Sequence, residues 1–245
     1  MEQASVGKSK EKTTAILLAA GKGSRMQTDR PKQFLSIGGK LLLCYALDAL
    51  EQSSVIDEIL LITREEDADF CQKEIVLPGG YTKVRKIVPG GKERYDSVYA
   101  GLCEAQDPSY IFIHDGARPF LKESLLKEMD ACVRAHGACV AAVPVKDTIK
   151  RVDTNGRCIE TPDRAFLYQM QTPQTFRYDA IRKAYDAMYR SGDFVGITDD
   201  AAVMERFGDL PVKICLAYYE NMKVTTPEDL AVAETLAMRM GFIAP

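Results

Sequence analysis

Long apolar runs are absent from the sequence and histidines are few, and each absence excludes a class of protein. No stretch approaches the roughly 18 consecutive apolar residues that a bilayer-spanning helix requires. The first 12 residues are polar and lack the apolar centre of a secretory signal, so residues 1–13 are expected to form a flexible tail. Only His114 and His136 occur, which excludes a histidine-rich metal site. We therefore expect a soluble protein with no membrane partner.

The charge balance and the cysteines narrow the class further. The chain has 32 Lys and Arg against 35 Asp and Glu, a net charge of -3, so it has no overall basic surface for nucleic acid. Its seven cysteines are odd in number, dispersed, and form no Cys-x-x-Cys pair. This pattern argues against a disulfide framework and a structural zinc, and is typical of reduced thiols in the cytoplasm.

The stretch 15–32, AILLAAGKGSRMQTDRPK, breaks an apolar run with two glycines. Its first six residues predict a strand buried on both faces, because a short apolar run bounded by glycine is typical of parallel sheets. Gly21 and Gly23 let backbone N–H groups approach a ligand that a Cβ would exclude. The stretch carries the cations Lys22, Arg25 and Lys32 and only one acidic residue, Asp29. The stretch therefore predicts a loop that binds a polyphosphate.

Two familiar glycine loops do not fit this stretch. The dinucleotide fingerprint G-x-G-x-x-G would need glycine at Met26, and the Walker A pattern is absent from the chain. The segment instead resembles the nucleotidyltransferase signature A-A-G-x-G-x-R-M followed by P-K-Q, at 19–26 and 31–33. A lone Gly-x-Gly near an arginine is more often an ordinary turn, so the P-K-Q continuation carries the assignment.

The rest of the chain alternates strand and helix patterns. We predict an α/β fold with a Rossmann-like, mostly parallel sheet flanked by helices, as a single domain over 14–245. The loops after residues 21, 90 and 115 should meet at one edge of this sheet, because ligands bind beyond the carboxyl ends of parallel strands. The predicted strands are 15–20, 58–63, 84–88, 110–114, 138–145 and 212–218, and the predicted helices are 40–52, 65–74, 93–105, 122–136, 178–190, 201–207 and 227–240.

Residues 146–164 interrupt the alternation. They show no helical periodicity, and Asn155-Gly156 is a strong hairpin signal, so we predict a protruding β-hairpin arm within 146–172. A two-residue turn would place Thr154 opposite Arg157, Val152 opposite Ile159, and Lys150 opposite Thr161. An isolated hairpin is marginal in water, so the arm needs a surface to pack on.

Taken together, the motifs resemble those of the 2-C-methyl-D-erythritol 4-phosphate cytidylyltransferase family over nearly all of 15–240. The resemblance implies attack by the substrate phosphate on the α-phosphorus of CTP, with release of pyrophosphate. A phosphate monoester is already an anionic nucleophile, so the site must supply positioning and charge stabilisation rather than a general base. Beyond the first loop, the matching motifs are Gly90-Gly91 with Arg94, 96–98, 114–119, 147–148, 150–151, 163–164, 171–174, 197–199 and 221–225.

The resemblance also implies roles for individual residues. Arg25 and Lys32 would stabilise transition-state charge, while Arg164 and Lys223 would hold the attacking phosphate. The implied nucleotide contacts are Ala19, Ala20, Gly21, Gly23, Gly91 and Ser97, and the implied substrate contacts are Asp115, Arg118, Thr148, Thr172 and Thr198. Lys92 departs from the pattern, because family members often have an acid or a small residue there.

The resemblance further implies a metal and an assembly. Mg²⁺ would be carried mainly by the CTP phosphates, and Asp115 would meet either the sugar or the metal shell. The protein would be a cytoplasmic homodimer in which each arm embraces the partner and delivers Arg164 to the partner's site.

Two alternatives remain open from the sequence. The first is a ribitol 5-phosphate cytidylyltransferase, which shares the glycine loop and the arm; the sequence Ala19-Ala20-Gly21 favours methylerythritol phosphate over it. The second is a non-catalytic nucleotide-binding module, against which the joint presence of Arg25, Lys32, Arg164 and Lys223 argues.

Overall fold

The computed structural model describes residues 11–21 and 31–243, and its centre is a seven-stranded sheet. Its strands, with those of two small hairpins, are β1 (Thr13–Ala19), β2 (Ser36–Ile37), β3 (Lys40–Leu41), β4 (Glu58–Thr63), β5 (Val84–Pro89), β6 (Tyr110–Asp115), β7 (Ala138–Pro144), β8 (Arg151–Val152), β9 (Cys158–Glu160), β10 (Tyr168–Arg177) and β11 (Lys213–Leu216). The central order is β11-β7-β10-β6-β1-β4-β5. All neighbours in it are parallel except β10, which runs antiparallel to β6 and β7.

The register of the sheet brings the ends of four strands together. β1 and β4 are buried along nearly their whole length, which explains why their sequences are apolar on both faces. Ala19 lies opposite Thr63, Thr63 opposite Pro89, and Leu18 opposite Asp115. The predicted convergence of the loops after β1, β5 and β6 at one edge is therefore confirmed.

Helices cover both faces of the sheet. They are α1 (Leu42–Gln52), α2 (Ala68–Phe70), α3 (Leu77–Gly79), α4 (Arg94–Glu104), α5 (Glu123–His136), α6 (Tyr178–Ser191), α7 (Asp200–Phe207) and α8 (Pro227–Arg239). α1 and α5 pack on one face, and α4, α6 and α7 on the other. The predicted α/β class, with a mostly parallel sheet flanked by helices, is confirmed. No helix in 11–21 or 31–243 combines the length and apolarity needed to cross a membrane.

The helix predicted at 65–74 is longer and less regular than expected. A 3-10 turn at Glu65–Asp67 leads through α2 into a π-helical stretch, Cys71–Val76, and then into α3. The segment continues because Ile75 and Val76 are buried in the core. Gly80, with φ of 65°, then ends it in the left-handed conformation.

β10 corrects the sequence analysis, which predicted no strand at 165–177 and assigned 168–172 to the arm. The apolar pattern fails there because Gln171, Thr172, Gln174 and Thr175 are polar yet buried. A proline also argues against a central strand, but Pro173 lies where the register with β7 shifts between Met170 and Gln174. The arm is therefore shorter than predicted and leaves the sheet between β7 and β10.

The arm is a hairpin of β8 and β9, but its turn differs from the prediction. The Gly156 N–H donates to the Asp153 carbonyl at 3.1 Å, so the β-turn spans 153–156, one residue earlier than the predicted turn over 154–157. The register shifts by one within β8, so Val152 faces Cys158 and not Ile159. Farther from the turn the prediction holds, because Lys150 Nζ donates to Thr161 Oγ1 at 2.5 Å.

His114 is a buried, uncharged link between β6 and β10. Its Nδ1 lies 3.0 Å from Thr172 Oγ1, and its Nε2 lies 3.2 Å from the Arg118 carbonyl oxygen. Burial lowers the pKa of His114 to about 4. The folded protein therefore keeps His114 neutral between about pH 4 and pH 6.5, where the unfolded chain binds a proton on this side chain.

We expect this exclusion to appear in the pH dependence of stability. His114 contributes stability that is present above its unfolded pKa and is lost as the pH falls from about 6.5 toward 4. Between pH 7 and pH 5, wild type should lose about 2 kcal/mol more free energy of unfolding than His114→Gln. Urea unfolding at both pH values measures this. His136→Gln, a change at the exposed end of α5, is the control and should keep the wild-type dependence; equal losses in both variants would contradict the assignment.

Candidate active site

A cavity of about 470 Å³ opens at the carboxyl edge of the sheet. It lies beyond the ends of β1, β4, β5 and β6, where a doubly wound sheet binds its ligands. Of the residues predicted to bind or react, those that line it are Ala20, Gly21, Lys32, Gly91, Ser97, Asp115 and Lys223. Residues predicted from distant parts of the sequence thus line one cavity.

The wall after β5 is formed by closely packed backbone. A Cβ on Gly90 would lie 2.6 Å from the Ala20 Cβ and 2.7 Å from Ser97 Oγ, so only glycine fits there. The Gly91 N–H donates to Ser97 Oγ at 3.2 Å, and that hydroxyl donates to the Glu93 carbonyl at 3.3 Å. This wall therefore consists of backbone and hydroxyl groups at the side of the cavity.

Lys32 is delivered to the cavity by its neighbours. It begins a 3-10 turn, Lys32–Phe34, in which Gln33 and Phe34 are buried. The Gln33 side-chain amide donates to the Ala19 carbonyl at 2.5 Å, which ties the turn to the end of β1. Ala19 itself is buried in the strand and does not line the cavity, whereas Ala20 does.

Asp115 is a buried carboxylate surrounded by cations. Lys223 Nζ lies 2.8 Å from Oδ2, Arg94 Nε lies 3.3 Å from Oδ1, and Arg118 Nε lies 3.8 Å from Oδ2. Burial alone would raise the pKa of Asp115, but Lys223, Arg94 and Arg118 together hold it well below its usual range. The carboxyl group is therefore ionised, and it orders cations at the floor of the cavity.

Arg118 and Lys223 are held in place through Asn221. Arg118 Nη1 donates to the Asn221 carbonyl at 2.8 Å, and Asn221 Nδ2 donates to both Gln171 Oε1 and the Thr172 carbonyl at 2.8 Å. Arg118 Nε is buried and has no hydrogen-bond partner among residues 11–21 and 31–243. The segment that carries Lys223 is thus anchored to β10.

Several predicted site residues lie away from the cavity lining. Thr172 is buried behind Asp115, and its hydroxyl accepts the Asp115 N–H at 3.1 Å. Thr148, Arg164 and Thr198 are exposed, and Arg164 Nη1 donates to the Lys146 carbonyl at 2.6 Å. Gly23 and Arg25 fall outside the described residues, so their predicted roles remain predictions.

An ion pair beside the cavity was not predicted from the sequence. The two terminal nitrogens of Arg94 donate to the two oxygens of Asp200, at 3.0 and 2.7 Å. Asp200 directly precedes the predicted helix 201–207, and the two residues stand 106 positions apart. Arg94 belonged to a matched motif, which was the available signal, but no local pattern indicates its partner.

A larger groove of about 980 Å³ lies at the opposite end of β6, beside Ser109 and Tyr110. Three of its arginines are already paired: Arg134 binds Asp130, Arg177 binds Asp179, and Arg182 binds Asp186. It also lies at the amino ends of the parallel strands, where such sheets do not usually bind ligands. The smaller cavity is therefore the candidate active site.

The donor set of the cavity bears on metal binding. In the part of the chain that the structure describes, no group of three or more His, Cys, Asp or Glu side chains could hold a metal ion. The carboxylate of Asp115 already faces three cations. The expectation of a metal carried by the CTP phosphates therefore stays a prediction.

Proteins of one known family match nearly the whole chain. The family model of 2-C-methyl-D-erythritol 4-phosphate cytidylyltransferase matches residues 13–239. A relative of that name from Lachnospira eligens is 46% identical over 220 residues, which cover 90% of this chain and 96% of the relative. A relative of the same name from Pelotomaculum thermopropionicum is 42% identical over 236 residues, or 96% of this chain and 98% of the relative.

Two solved structures share the fold of this chain. The crystal structure of 4-diphosphocytidyl-2C-methyl-D-erythritol synthase from Anaerococcus prevotii is 31% identical with a TM-score of 0.82, covering 94% of this chain and 97% of that one. The 2-C-methyl-D-erythritol 4-phosphate cytidylyltransferase structure from Thermus thermophilus is 28% identical with a TM-score of 0.72, covering 91% and 97%. With a family model that spans almost the whole chain and relatives aligned nearly end to end, the chain belongs to the 2-C-methyl-D-erythritol 4-phosphate cytidylyltransferase family and is a nucleotidyltransferase.

Proposed function

We propose that this chain transfers the cytidylyl group of CTP to 2-C-methyl-D-erythritol 4-phosphate, forming 4-CDP-2-C-methyl-D-erythritol. The observation that carries the proposal is the ionised Asp115 with Lys223, Arg94 and Arg118 around it, in a cavity that Lys32 also lines. Cations gathered at a buried point suit substrates that are themselves polyanions. The names of the relatives support methylerythritol phosphate over the ribitol alternative.

The reaction needs one bond to form and one to break. A phosphate oxygen of the polyol phosphate attacks the α-phosphorus of CTP, and the bond from the α-phosphorus to the bridging oxygen breaks to release pyrophosphate. The nucleophile is already anionic, so no side chain has to remove a proton. The contribution of the protein is to align the two phosphates and to offset the charge that grows on the α-phosphoryl oxygens.

The residues divide this work by position. Lys32 reaches the cavity beside the end of β1 and would face the α-phosphate, with Arg25 as its predicted companion. Lys223 lines the floor of the cavity and would hold the attacking phosphate, with Arg164 as its predicted companion. Arg118 contacts Asp115 but does not line the cavity, so its predicted contact with the substrate stays a prediction. Ser97 and Gly91 would accommodate the cytosine edge, and Asp115 would meet a hydroxyl of the polyol.

Mg²⁺ is proposed to enter with CTP. The metal would be held mainly by phosphate oxygens, with Asp115 as the carboxylate that the resemblance implies for its shell. When bound, the ion would neutralise triphosphate charge and favour departure of pyrophosphate.

The substrate assignment is tested by a direct comparison. Purified protein with CTP and Mg²⁺ should release pyrophosphate with 2-C-methyl-D-erythritol 4-phosphate, and far less with ribitol 5-phosphate, in a coupled pyrophosphate assay. Equal or reversed rates would refute the polyol assignment. No release with either polyol would contradict the transferase function itself.

Replacement of Lys32 tests the catalytic assignment. Lys32→Ala should lower kcat by roughly 100- to 1000-fold, because a preorganised charge aimed at the transition state is removed. The CTP affinity should stay nearly unchanged, since such a charge contributes little to ground-state binding. Lys86→Ala removes a lysine that binds Glu104 outside the cavity and serves as the control. A fully active Lys32→Ala enzyme would show that Lys32 is an ordinary surface cation.

We further propose a homodimer in the cytoplasm, with the arm packed on the partner. Apolar side chains on and beside the arm are unusually exposed, including Phe166 at 81%, Ile159 at 54% and Val152 at 50%. Exposed apolar surface of this kind marks interaction sites, and a lone hairpin needs support. Arg164 is exposed at the return of the arm, outside the cavity of its own chain, where it is available to a partner.

Subunit mixing tests the exchange of arms. Inactive Lys32→Ala chains and inactive Arg164→Ala chains are combined in equal amounts under conditions that allow subunit exchange. If Arg164 acts in the partner's site, each mixed dimer has one site with both changes and one with neither, so roughly a quarter of wild-type activity should return. If Arg164 acts in its own chain, every site keeps one change and no activity returns.

A further inference from the structure

The Arg94–Asp200 pair joins a residue of the cavity lining to the buried start of α7. Arg94 is the first residue of α4, three positions after Gly91. Asp200 is the first residue of α7, two positions after Thr198, a predicted substrate contact. The guanidinium and the carboxylate meet through two parallel hydrogen bonds of 3.0 and 2.7 Å, the geometry that fixes an arginine side chain most firmly.

Asp200 is an immobile anchor for this pair. Its side chain is fully buried, and the Tyr185 hydroxyl donates to Oδ1 at 2.7 Å. The backbone N–H groups of Asp200 and Ala201 both donate to Gln174 Oε1 at 2.9 Å, which fastens the start of α7 to β10. Because both its side chain and its main chain are hydrogen-bonded, the carboxylate of Asp200 is fixed in one orientation.

The third nitrogen of the guanidinium, Nε, points at the site. With Nη1 and Nη2 bound to Asp200, Arg94 Nε faces Asp115 Oδ1 at 3.3 Å. The other oxygen of Asp115 holds Lys223 at 2.8 Å. A continuous series of contacts thus runs from Asp200 through Arg94 and Asp115 to Lys223.

We propose that Arg94 is a positioning residue for the transfer, anchored by Asp200, which orients the carboxylate of Asp115 and through it the ammonium of Lys223. The proposal rests on the proposed function of this site, in which Lys223 holds the attacking phosphate. A buried ion pair is weak grounds for a stabilising role, because apolar or neutral replacements are often as stable. The contact of Arg94 with Asp115 instead indicates that the pair orients a residue of the site.

The test separates positioning from stability with a neutral pair. Arg94→Gln leaves the buried Asp200 carboxylate without its cation, and Asp200→Asn removes the anion that binds both terminal nitrogens of Arg94, so both single variants should unfold at a lower temperature than wild type. The double variant R94Q/D200N places two amides where the ions were, and should recover most of the lost thermal stability. Its kcat should nevertheless stay about 10- to 100-fold below wild type, the usual loss when a residue that orients a site group is removed.

The control is a double variant of the same chemistry elsewhere. Arg182 and Asp186 form an ion pair of 3.0 Å on α6, away from the cavity. R182Q/D186N should keep the wild-type kcat. Arg94→Lys supplies a second measurement that does not depend on the double variant folding: it keeps the charge but lacks the fork, so it should lower kcat while the CTP KM stays close to wild type.

The outcomes are distinct. A wild-type kcat in stably folded R94Q/D200N, or in Arg94→Lys, would overturn the positioning role and leave a purely structural pair. A wild-type protein that releases no pyrophosphate from CTP and 2-C-methyl-D-erythritol 4-phosphate would overturn the proposed function, and the role of Arg94 with it. Recovery of stability without recovery of kcat supports the proposal.

Discussion

The burial of one ionised carboxylate is the constraint on which the site depends. A carboxylate removed from water is costly unless cations and hydrogen bonds replace its hydration, and Lys223 and Arg94 supply both to Asp115. Lys223 comes from the segment before α8 and Arg94 from α4. One negative charge thereby fixes the positions of two other parts of the fold, and both of these cations line the cavity.

The sheet explains why these parts can meet. Parallel pairing of β1, β4, β5 and β6 places four loops at one edge, while the antiparallel β10 brings Thr172 and Gln174 beneath them. If β10 were parallel to β6 and β7, its carboxyl end would lie at the same edge of the sheet as theirs. The reversed strand instead supplies side chains under the cavity, and its amino end receives the chain from the arm.

Sequence patterns predicted the parts of this structure that depend on local periodicity. The buried strands around Leu17 and Leu61 and the amphipathic helix that carries Met129 follow directly from their spacing. β10 was not predicted, because its buried Gln171 and Gln174 are satisfied by partners 25 to 50 residues away that no local pattern reveals. The Arg94–Asp200 pair was missed for the same reason, whereas Lys223 was found because it lies in a recognisable motif.

Gln174 shows what such a position demands of an amino acid. Its amide oxygen accepts two N–H groups from the start of α7, while its amide nitrogen donates to Asp199 Oδ2 at 2.9 Å. The position therefore requires an acceptor and a donor on the two ends of one planar group. Glutamate would match the shape but set a second negative charge against Asp199, and methionine would fill the volume but leave both N–H groups of the helix unbonded. The residue is thus selected by the direction of its dipole, a property that neither hydrophobicity nor size records.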